Sequence, residues 1–236
     1  LDFCKGKSQI IVIEELDGVI ESFCRGLGID VTGKNVLPLC GEFSQEILRE
    51  KLLGEEPDST CVADDIPARP PVLCPGCPHR GVFYTLKKMG LTVSGDIGCY
   101  TLGAVPPLAA MDSTYCMGAS ISALHGFNKV RGDEKKSVAV IGDSTFMHSG
   151  MTGLVNIVYN GGYSTVIVLD NRITGMTGHQ QNPLTGLTLK NTPAPYICLE
   201  DICAGLGVDR EHIRVVDPAD PAELEKTLRE ELDAPV

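Results

Sequence analysis

The chain has 236 residues, of which 43% are hydrophobic and 22% are charged, a balance typical of a globular protein. This length allows one large α/β domain, or one domain of about 150 residues with a smaller piece, and we expect the second arrangement. No apolar run approaches the roughly 20 residues needed to cross a bilayer, which argues against membrane insertion. The net charge of -11 argues against nucleic-acid binding through the overall field, because phosphate contacts need clustered Lys and Arg.

Ten cysteines in a chain without secretory features indicate metal or redox chemistry rather than disulfides. We therefore expect a cytoplasmic protein from a reducing, oxygen-poor setting. The chain starts at Leu1 without a Met and without a signal sequence, so we interpret it as a piece of something longer.

The first 54 residues have the pattern of a small α/β domain. The run 9–13 (QIIVI) predicts a strand, and Ser44 is positioned to cap a short helix. Between them, one helix is predicted from apolar residues at helical spacing, which are Leu16, Val19, Ile20, Phe23 and Leu27. We expect residues 1–54 to be the C-terminal part of a small α/β domain. The stretch 55–71, with four prolines, is predicted to be a linker.

Residues 72–236 alternate between apolar strands and helical stretches. This alternation predicts a doubly wound, mostly parallel sheet with helices on both faces, with ligands bound beyond the carboxyl ends of the strands. The predicted strands are 91–98, 137–143 and 164–171, and the predicted helices lie near 117–130, 150–160 and 221–231.

Two oxygen-bearing side chains stand at the ends of successive strands. Asp143 closes the run SVAVIGD, Asn171 closes STVIVLDN, and one crossover helix separates them. A right-handed crossover can bring both to one edge of the sheet, where they would suit Mg²⁺ and the phosphates that it attracts. The helix starting near Ser149 and the loop 171–180 (NRITGMTGHQ) would add backbone N–H groups.

Two other interpretations of Asp143 stay open at this point. A Gly-Asp pair at a strand end is common in doubly wound folds, where the Asp caps the next helix. A Rossmann dinucleotide site is the competing interpretation, but the chain has no G-x-G-x-x-G.

The GDS and LDN segments resemble the thiamine-diphosphate-binding domains, whose motif is Gly-Asp-Gly with a later Asn. Ser144 stands where that motif has its third glycine. The resemblance implies that Mg²⁺ is held by the side chains of Asp143 and Asn171 and by the backbone carbonyl of Ile173.

Four further segments, CPGCPHR (74–80), GDIGCYTLG (95–103), CMGAS (116–120) and ITGMTGHQ (173–180), resemble the alpha subunit of indolepyruvate ferredoxin oxidoreductases. This resemblance implies thiamine-diphosphate-dependent oxidative decarboxylation of an arylpyruvate to an acyl-coenzyme A, with electrons passed to ferredoxin. It also implies a second subunit and a separate pyrimidine-binding domain. Residues 1–54 resemble the transketolase C-terminal-like domain that precedes the cofactor domain in that family.

The resemblance also implies roles for individual residues. His79 would contact the substrate carboxylate or transfer a proton, unless it is only a packed or capping residue. A [4Fe–4S] cluster would be bound by Cys74, Cys77 and Cys99, with Cys203 or Cys198 as the fourth ligand; reduced structural thiols are the alternative, and zinc is less favoured because no second CxxC is present. The residues expected to bind the cofactor are Asp96, Gly98, Cys99, Met117, Gly118, Gly142, Asp143, Ser144, Thr145, Asn171, Ile173, Gly175, Met176 and Thr177.

Three alternative functions remain from the sequence. The enzyme could belong to the pyruvate or oxoglutarate type of 2-oxoacid:ferredoxin oxidoreductase, or be a non-oxidative thiamine-diphosphate decarboxylase. The chain could also be an inactive cofactor-binding module when isolated, since no glutamate that would activate the aminopyrimidine is identified in it.

Overall fold

A computed structural model describes residues 2–56, 65–132 and 136–234. The chain divides into two compact units, Leu1–Ala68 and Arg69–Val236. The division falls within the predicted linker 55–71, of which residues 57–64 lie outside the described part. The assignment of 1–54 and 72–236 to two kinds of domain stays a prediction.

The first unit contains helices α1 (Val19–Gly26) and α2 (Gln45–Leu53), preceded by a short 3-10 turn at Asp2–Cys4. The predicted cap of α2 is confirmed, because the Ser44 hydroxyl accepts the N–H of Ile47 at 3.3 Å. Helix α2 ends at Gly54, whose φ of 69° is the left-handed conformation that glycine adopts readily.

Two details of the first unit differ from the prediction. The run 9–13 forms only a single parallel bridge, Ile11 to Thr32, so the expected strand is wrong; among the described residues no other strand pairs with it. Helix α1 begins after Leu16, because the Glu14 carboxylate accepts the N–H groups of Ile20 and Glu21 and thereby caps the first turn. The apolar side chains of α1 are exposed in this unit, with Phe23 at 68%.

The second unit is built on a parallel sheet in the order β2-β1-β3-β4, which confirms the predicted fold class. The strands are β1 (Thr92–Gly95), β2 (Ser113–Thr114), β3 (Ser137–Gly142) and β4 (Thr165–Leu169). The two-residue β2 was not predicted, because it is too short to produce an alternating pattern. The strands at 91–98, 137–143 and 164–171 are confirmed with shorter bounds, since their last residues leave the sheet to form loops.

Helices cover both faces of this sheet. They are α3 (His79–Met89), α4 (Ala119–Arg131), α5 (Asp143–Thr145), α6 (Met151–Tyr159), α7 (Leu199–Gly205) and α8 (Pro221–Asp233), with a π-helical segment at Phe146–Gly150 between α5 and α6 and 3-10 turns at Cys99–Ala104 and Arg210–His212. The central strand β3 shows why two faces are needed: Val138 and Val140 pack in the cluster with α3 and α8, while Ala139 and Ile141 pack with α4 and α6. Alternate side chains of a strand point to opposite faces, so β3 is buried on both.

The parallel strands place their carboxyl ends on one edge of the sheet. In register, Gly142 of β3 stands beside Leu169 of β4, so Asp143 and the turn that starts at Asp170 leave the sheet side by side. β1 ends nearby at Gly95, followed by Asp96. In the described part of the chain, no helix has the length and apolar character required to cross a membrane.

Candidate functional site

Asp143 is a nearly buried carboxylate at the first residue after β3. Its Oδ1 accepts the N–H of Ser144 at 2.7 Å and its Oδ2 accepts the Asn182 amide at 3.3 Å. Burial raises the pKa of this carboxyl group, the charge of Asp170 raises it further, and these N–H donors oppose the rise. Within the described residues no Lys, Arg or His forms an ion pair with Asp143.

The turn after β4 faces this carboxylate. The backbone N–H of Arg172 lies close enough to Asp143 to lower the pKa of its carboxyl group. The Asn171 side-chain oxygen accepts the N–H of Ile173 at 3.1 Å, and Arg172 has a φ of 52°, which is uncommon for a residue with a side chain. The structure therefore brings Asp143 and the turn 170–173 together, as the spacing of the two strands predicts.

A short hairpin continues from this turn. Thr174 and Gln180 pair in both directions, with N to O distances of 3.1 and 3.2 Å. Ser144 contacts this hairpin directly, since its hydroxyl accepts a hydrogen bond from the Thr174 hydroxyl at 2.8 Å. The serine that replaces the third glycine of the motif thus joins the β3 end to the hairpin.

The tip of the hairpin carries three of the expected cofactor residues. Gly175 lies beside the Cys99 sulfur, which would be 3.4 Å from an added Cβ. Met176 is half-exposed, and the Thr177 hydroxyl bonds the Gln180 side chain at 2.6 Å. These residues are therefore held in one structured loop next to the turn after β1.

Asp96 organises the opposite side of the site. It is fully buried, and its carboxylate accepts backbone N–H groups from Ile97, Gly118 and Ser120 at 2.8–3.0 Å. It therefore fixes the start of α4 and with it Gly118, while the preceding Met117 remains half-exposed. The geometry assigns Asp96 a backbone-holding role, whereas the sequence suggested a contact with the cofactor.

Tyr100 is a residue that the sequence did not single out. An added Cβ at Gly98 or Gly142 would come within 2.5 or 2.6 Å of its ring, so both glycines are needed for the ring to fit. Its hydroxyl donates to the Ile97 carbonyl at 3.0 Å, and burial raises its pKa to about 12. Tyr100 is thus a neutral packing residue beneath the β1 and β3 ends, where Thr145 is also buried.

His79 stands at the start of α3, edge-on to Tyr100 with ring centroids 6.2 Å apart. It is nearly buried, and this burial lowers its pKa, so the ring is neutral at neutral pH. Its Nδ1 lies 3.4 Å from the Cys77 sulfur. A neutral imidazole in this position can accept a proton or a hydrogen bond.

Three of the predicted cluster cysteines, Cys74, Cys77 and Cys99, lie near one another. The tight turn Cys74–Cys77 is closed by a backbone hydrogen bond of 3.1 Å, and burial together with the nearby Cys77 and Cys74 raises the pKa of the Cys99 thiol. The two candidates for a fourth ligand lie at α7, where Cys198 bonds Glu200 at 3.0 Å and burial raises the pKa of Cys203. Across the described ranges, no three His, Cys, Asp or Glu residues are arranged to hold a metal ion.

The residues at the edge of the sheet suit a cation and a diphosphate. A carboxylate without a basic partner, the neighbouring carboxylate of Asp170, an amide oxygen and a turn backbone are the ligand types that Mg²⁺ takes in proteins. A four-thiolate cluster is less well supported, because, of the described cysteines, Cys74, Cys77 and Cys99 lie near one another whereas Cys198 and Cys203 lie at α7.

Asn182 is the second residue that the sequence missed. It is nearly buried, and it reaches Asp143 from a loop that carries neither a strand nor a helix. The sequence contains no signal for such a contact, because Asn before Pro183 is an ordinary loop pattern.

Comparison with known proteins agrees with this geometry. Residues 96–236 match the family described as "Thiamine pyrophosphate enzyme, C-terminal TPP binding domain". The chain is 37% identical to indolepyruvate oxidoreductase subunit IorA of Pyrococcus abyssi and 38% identical to that of Archaeoglobus fulgidus, over 98% of this chain in each case. It spans about 40% of the length of these curated relatives.

A solved structure shares the fold. The 2-oxoglutarate:ferredoxin oxidoreductase from Magnetococcus marinus, determined with 2-oxoglutarate, coenzyme A and succinyl-CoA bound, aligns with a TM-score of 0.54 at 15% identity, over 72% of this chain and 61% of that chain. At that identity the likeness concerns the fold alone. Because residues 96–236 match that family, the chain belongs to the thiamine pyrophosphate enzymes and carries their C-terminal TPP-binding domain.

Proposed function

We propose that this chain holds the diphosphate of thiamine diphosphate through Mg²⁺, with Asp143, Asn171 and the carbonyl of Ile173 as ligands. The observation that carries the proposal is the buried Asp143 carboxylate, which faces the turn 170–173 and has no basic partner among the described residues. A divalent cation would offset both the burial of this charge and its repulsion by Asp170.

The remaining parts of the site would enclose the cofactor. The loop ahead of α4, fixed by Asp96, presents Gly118 and the half-exposed Met117, and the hairpin presents Gly175 to Thr177. Thr174 and Ser144 hold that hairpin against the end of β3. These contacts would orient the cofactor and exclude water from it.

Bound thiamine diphosphate would supply the carbanion-stabilising chemistry that removes CO₂ from a 2-oxoacid. His79 is neutral because burial lowers its pKa, so we propose that it accepts a hydrogen bond or a proton from the substrate side of the site. The Cys77 sulfur lies 3.4 Å from its Nδ1. Among the described residues no fourth cysteine joins Cys74, Cys77 and Cys99, so we assign no electron-transfer step to a cluster at these residues.

For the whole protein we propose the oxidative decarboxylation of an arylpyruvate such as indolepyruvate. The support is the name of the relatives that match 98% of this chain. Coenzyme A and ferredoxin would be the acceptors, as the motifs imply, and the pyrimidine-binding domain and a second subunit would lie outside these residues. We further propose an anaerobic, cytoplasmic enzyme, for which the ten cysteines are the support.

A substrate panel tests this proposal. The complete enzyme, kept free of oxygen with Mg²⁺, thiamine diphosphate and coenzyme A, is supplied in turn with indolepyruvate, phenylpyruvate, pyruvate and 2-oxoglutarate while reduction of a low-potential dye is recorded. We expect the highest kcat/KM with indolepyruvate or phenylpyruvate. Preference for pyruvate or 2-oxoglutarate would reject the arylpyruvate assignment, and CO₂ release without dye reduction would favour a non-oxidative decarboxylase.

A further inference from the structure

Asn182 makes a side-chain contact that the metal site proposed above does not include. Only 7% of Asn182 is exposed, and its amide donates to Asp143 Oδ2 across 3.3 Å. Its own side-chain oxygen accepts the N–H of Leu184 at 2.9 Å, and its backbone carbonyl accepts the hydroxyl of Thr185 at 2.9 Å. Leu184 is itself buried, so the loop that carries Asn182 is anchored.

The contact determines the orientation of the Asp143 carboxylate. Oδ1 is held by the N–H of Ser144 at 2.7 Å and Oδ2 by the Asn182 amide at 3.3 Å, while the backbone N–H of Arg172 lies near the same carboxylate. A carboxylate has about four lone-pair sites, so these donors still leave room for a cation. Fixing the plane in advance means that less rotational freedom is lost when a metal binds, and outer partners of metal ligands are known to matter for this reason.

The side chain at position 182 is also suited to this role by its charge. Asp170 already adds one negative charge beside Asp143, so an anionic neighbour would increase the repulsion in the metal-free protein. A basic neighbour would compete with the cation for the carboxylate. A neutral amide donates a hydrogen bond without doing either.

We propose that Asn182 is a positioning residue for the cation that binds Asp143, holding the carboxylate plane from outside the ligand set. This inference rests on the proposed Mg²⁺ and thiamine diphosphate site. It adds a residue that acts through Asp143 and touches neither the cofactor nor the substrate.

The test compares variants of the complete protein in Mg²⁺ titrations at a fixed concentration of thiamine diphosphate. Binding is measured by calorimetry. Asn182→Leu keeps the branched shape of the side chain and removes its amide, and Asn182→Ser is a smaller second variant in case the first does not fold. Gln181→Ala is the matched control, because its amide bonds Asn191 rather than Asp143. The melting temperatures of the metal-free proteins and the electron paramagnetic resonance spectrum of bound Mn²⁺ are two further measurements, and neither depends on turnover.

We expect the Asn182 variants to need about 10–100 times more Mg²⁺ for half-saturation, as is found when outer partners of metal ligands are removed. Cofactor affinity should return at saturating Mg²⁺, the Mn²⁺ spectrum should broaden, and Gln181→Ala should resemble the wild type. A folded variant with an unchanged Mg²⁺ requirement and Mn²⁺ spectrum would overturn the inference, even if its melting temperature fell. Failure of the wild type to bind the cofactor, or normal binding by Asp143→Asn, would reject the proposed function and this inference with it.

Discussion

Asp143 and Asp170 are two carboxylates that the sheet brings close together without a basic side chain between them in the described part of the chain. Such an arrangement is costly when both are charged, and it is typical of places where a cation is expected. Arg172 lies nearby, but its guanidinium pairs with Asp170 at 3.6 Å and stacks on Tyr196. It forms no ion pair with Asp143.

Gly118, in the loop before α4, has a backbone conformation that favours glycine. Its φ is 88°, and an added Cβ would lie 2.7 Å from Ser149 Cβ, so Gly118→Ala combines backbone strain with a clash. We expect this variant to lose more than about 2 kcal/mol of unfolding free energy in urea titrations.

Gly126 provides the control for this prediction. It lies inside α4 with nothing within 4 Å of an added Cβ, so Gly126→Ala should stabilise the protein by about 0.5–1 kcal/mol. Equal stability of the two variants would show that the loop before α4 is not held as described.

Several site residues could be predicted from the sequence and others could not. Asp143 and Asn171 end apolar runs, so their meeting at one edge follows from strand periodicity and crossover geometry. Asn182 reaches the site from an irregular loop, and Tyr100 reaches it because its ring packs against two glycines. Neither arrangement produces a periodic pattern in the sequence. Asp96 was predicted as a site residue. Its partners are the backbone N–H groups of Gly118 and Ser120, more than 20 residues later in the chain, and the sequence does not indicate these contacts.

Among the elements, α3 and α8 form one layer over the sheet. Leu224, Leu228 and Leu232 of α8 pack with Phe83 and Leu86 of α3, and Lys88 and Glu225 join the two helices at 2.7 Å. His79 is the first residue of α3, so this layer also holds one wall of the candidate site.

Leu228→Ala tests that packing. Leu228 is buried, so we expect the variant to lose about 2–5 kcal/mol of unfolding free energy in chemical denaturation. Lys226→Ala, on the exposed side of the same helix, should change it by no more than about 0.5 kcal/mol. A similar loss in both variants would contradict the assignment of Leu228 to the core.

The contact between His212 and Glu231 of α8 should make the stability of the protein depend on pH. Its Nδ1 lies 2.9 Å from the Glu231 carboxylate, and this hydrogen bond raises the pKa of His212. A raised pKa in the folded state means that the stabilisation is complete below the unfolded value of about 6.5 and is lost as pH rises through the folded value.

Melting temperatures of wild type and His212→Asn across pH 5 to 9 check this sign. The wild type should be slightly the more stable at acid pH, and the difference should disappear in alkaline solution. Glu231→Gln should remove the same pH dependence. A difference that grows with rising pH would contradict the assignment.

The elements differ in how well their sequences predict them. β3 and β4 are continuous apolar runs, and α8 starts with Asp220 capping Ala222 and Glu223, so all three could be predicted within a few residues. The run 9–13 has the same composition as a strand but only one bridging partner, because pairing depends on neighbours that a local pattern does not contain.

The chain spans about 40% of the length of its curated relatives. The edge of the sheet in Arg69–Val236 supplies the diphosphate end of the proposed site. The chain as given should therefore bind thiamine diphosphate more weakly than the complete enzyme and release no CO₂ from indolepyruvate. Appreciable release by this chain alone would mean that one of its own carboxylates activates the cofactor.

We propose that Asp143, together with the turn 170–173, holds Mg²⁺ and thiamine diphosphate. Calorimetric titration of thiamine diphosphate into the complete protein, with and without Mg²⁺, tests it most directly. We expect Mg²⁺-dependent binding in the wild type, a loss of at least about 100-fold in Asp143→Asn, and a smaller loss of about 10-fold in Asn171→Ala, which removes a neutral ligand. If Asp143→Asn bound the cofactor with the wild-type affinity and the same Mg²⁺ requirement, the metal would have to lie elsewhere.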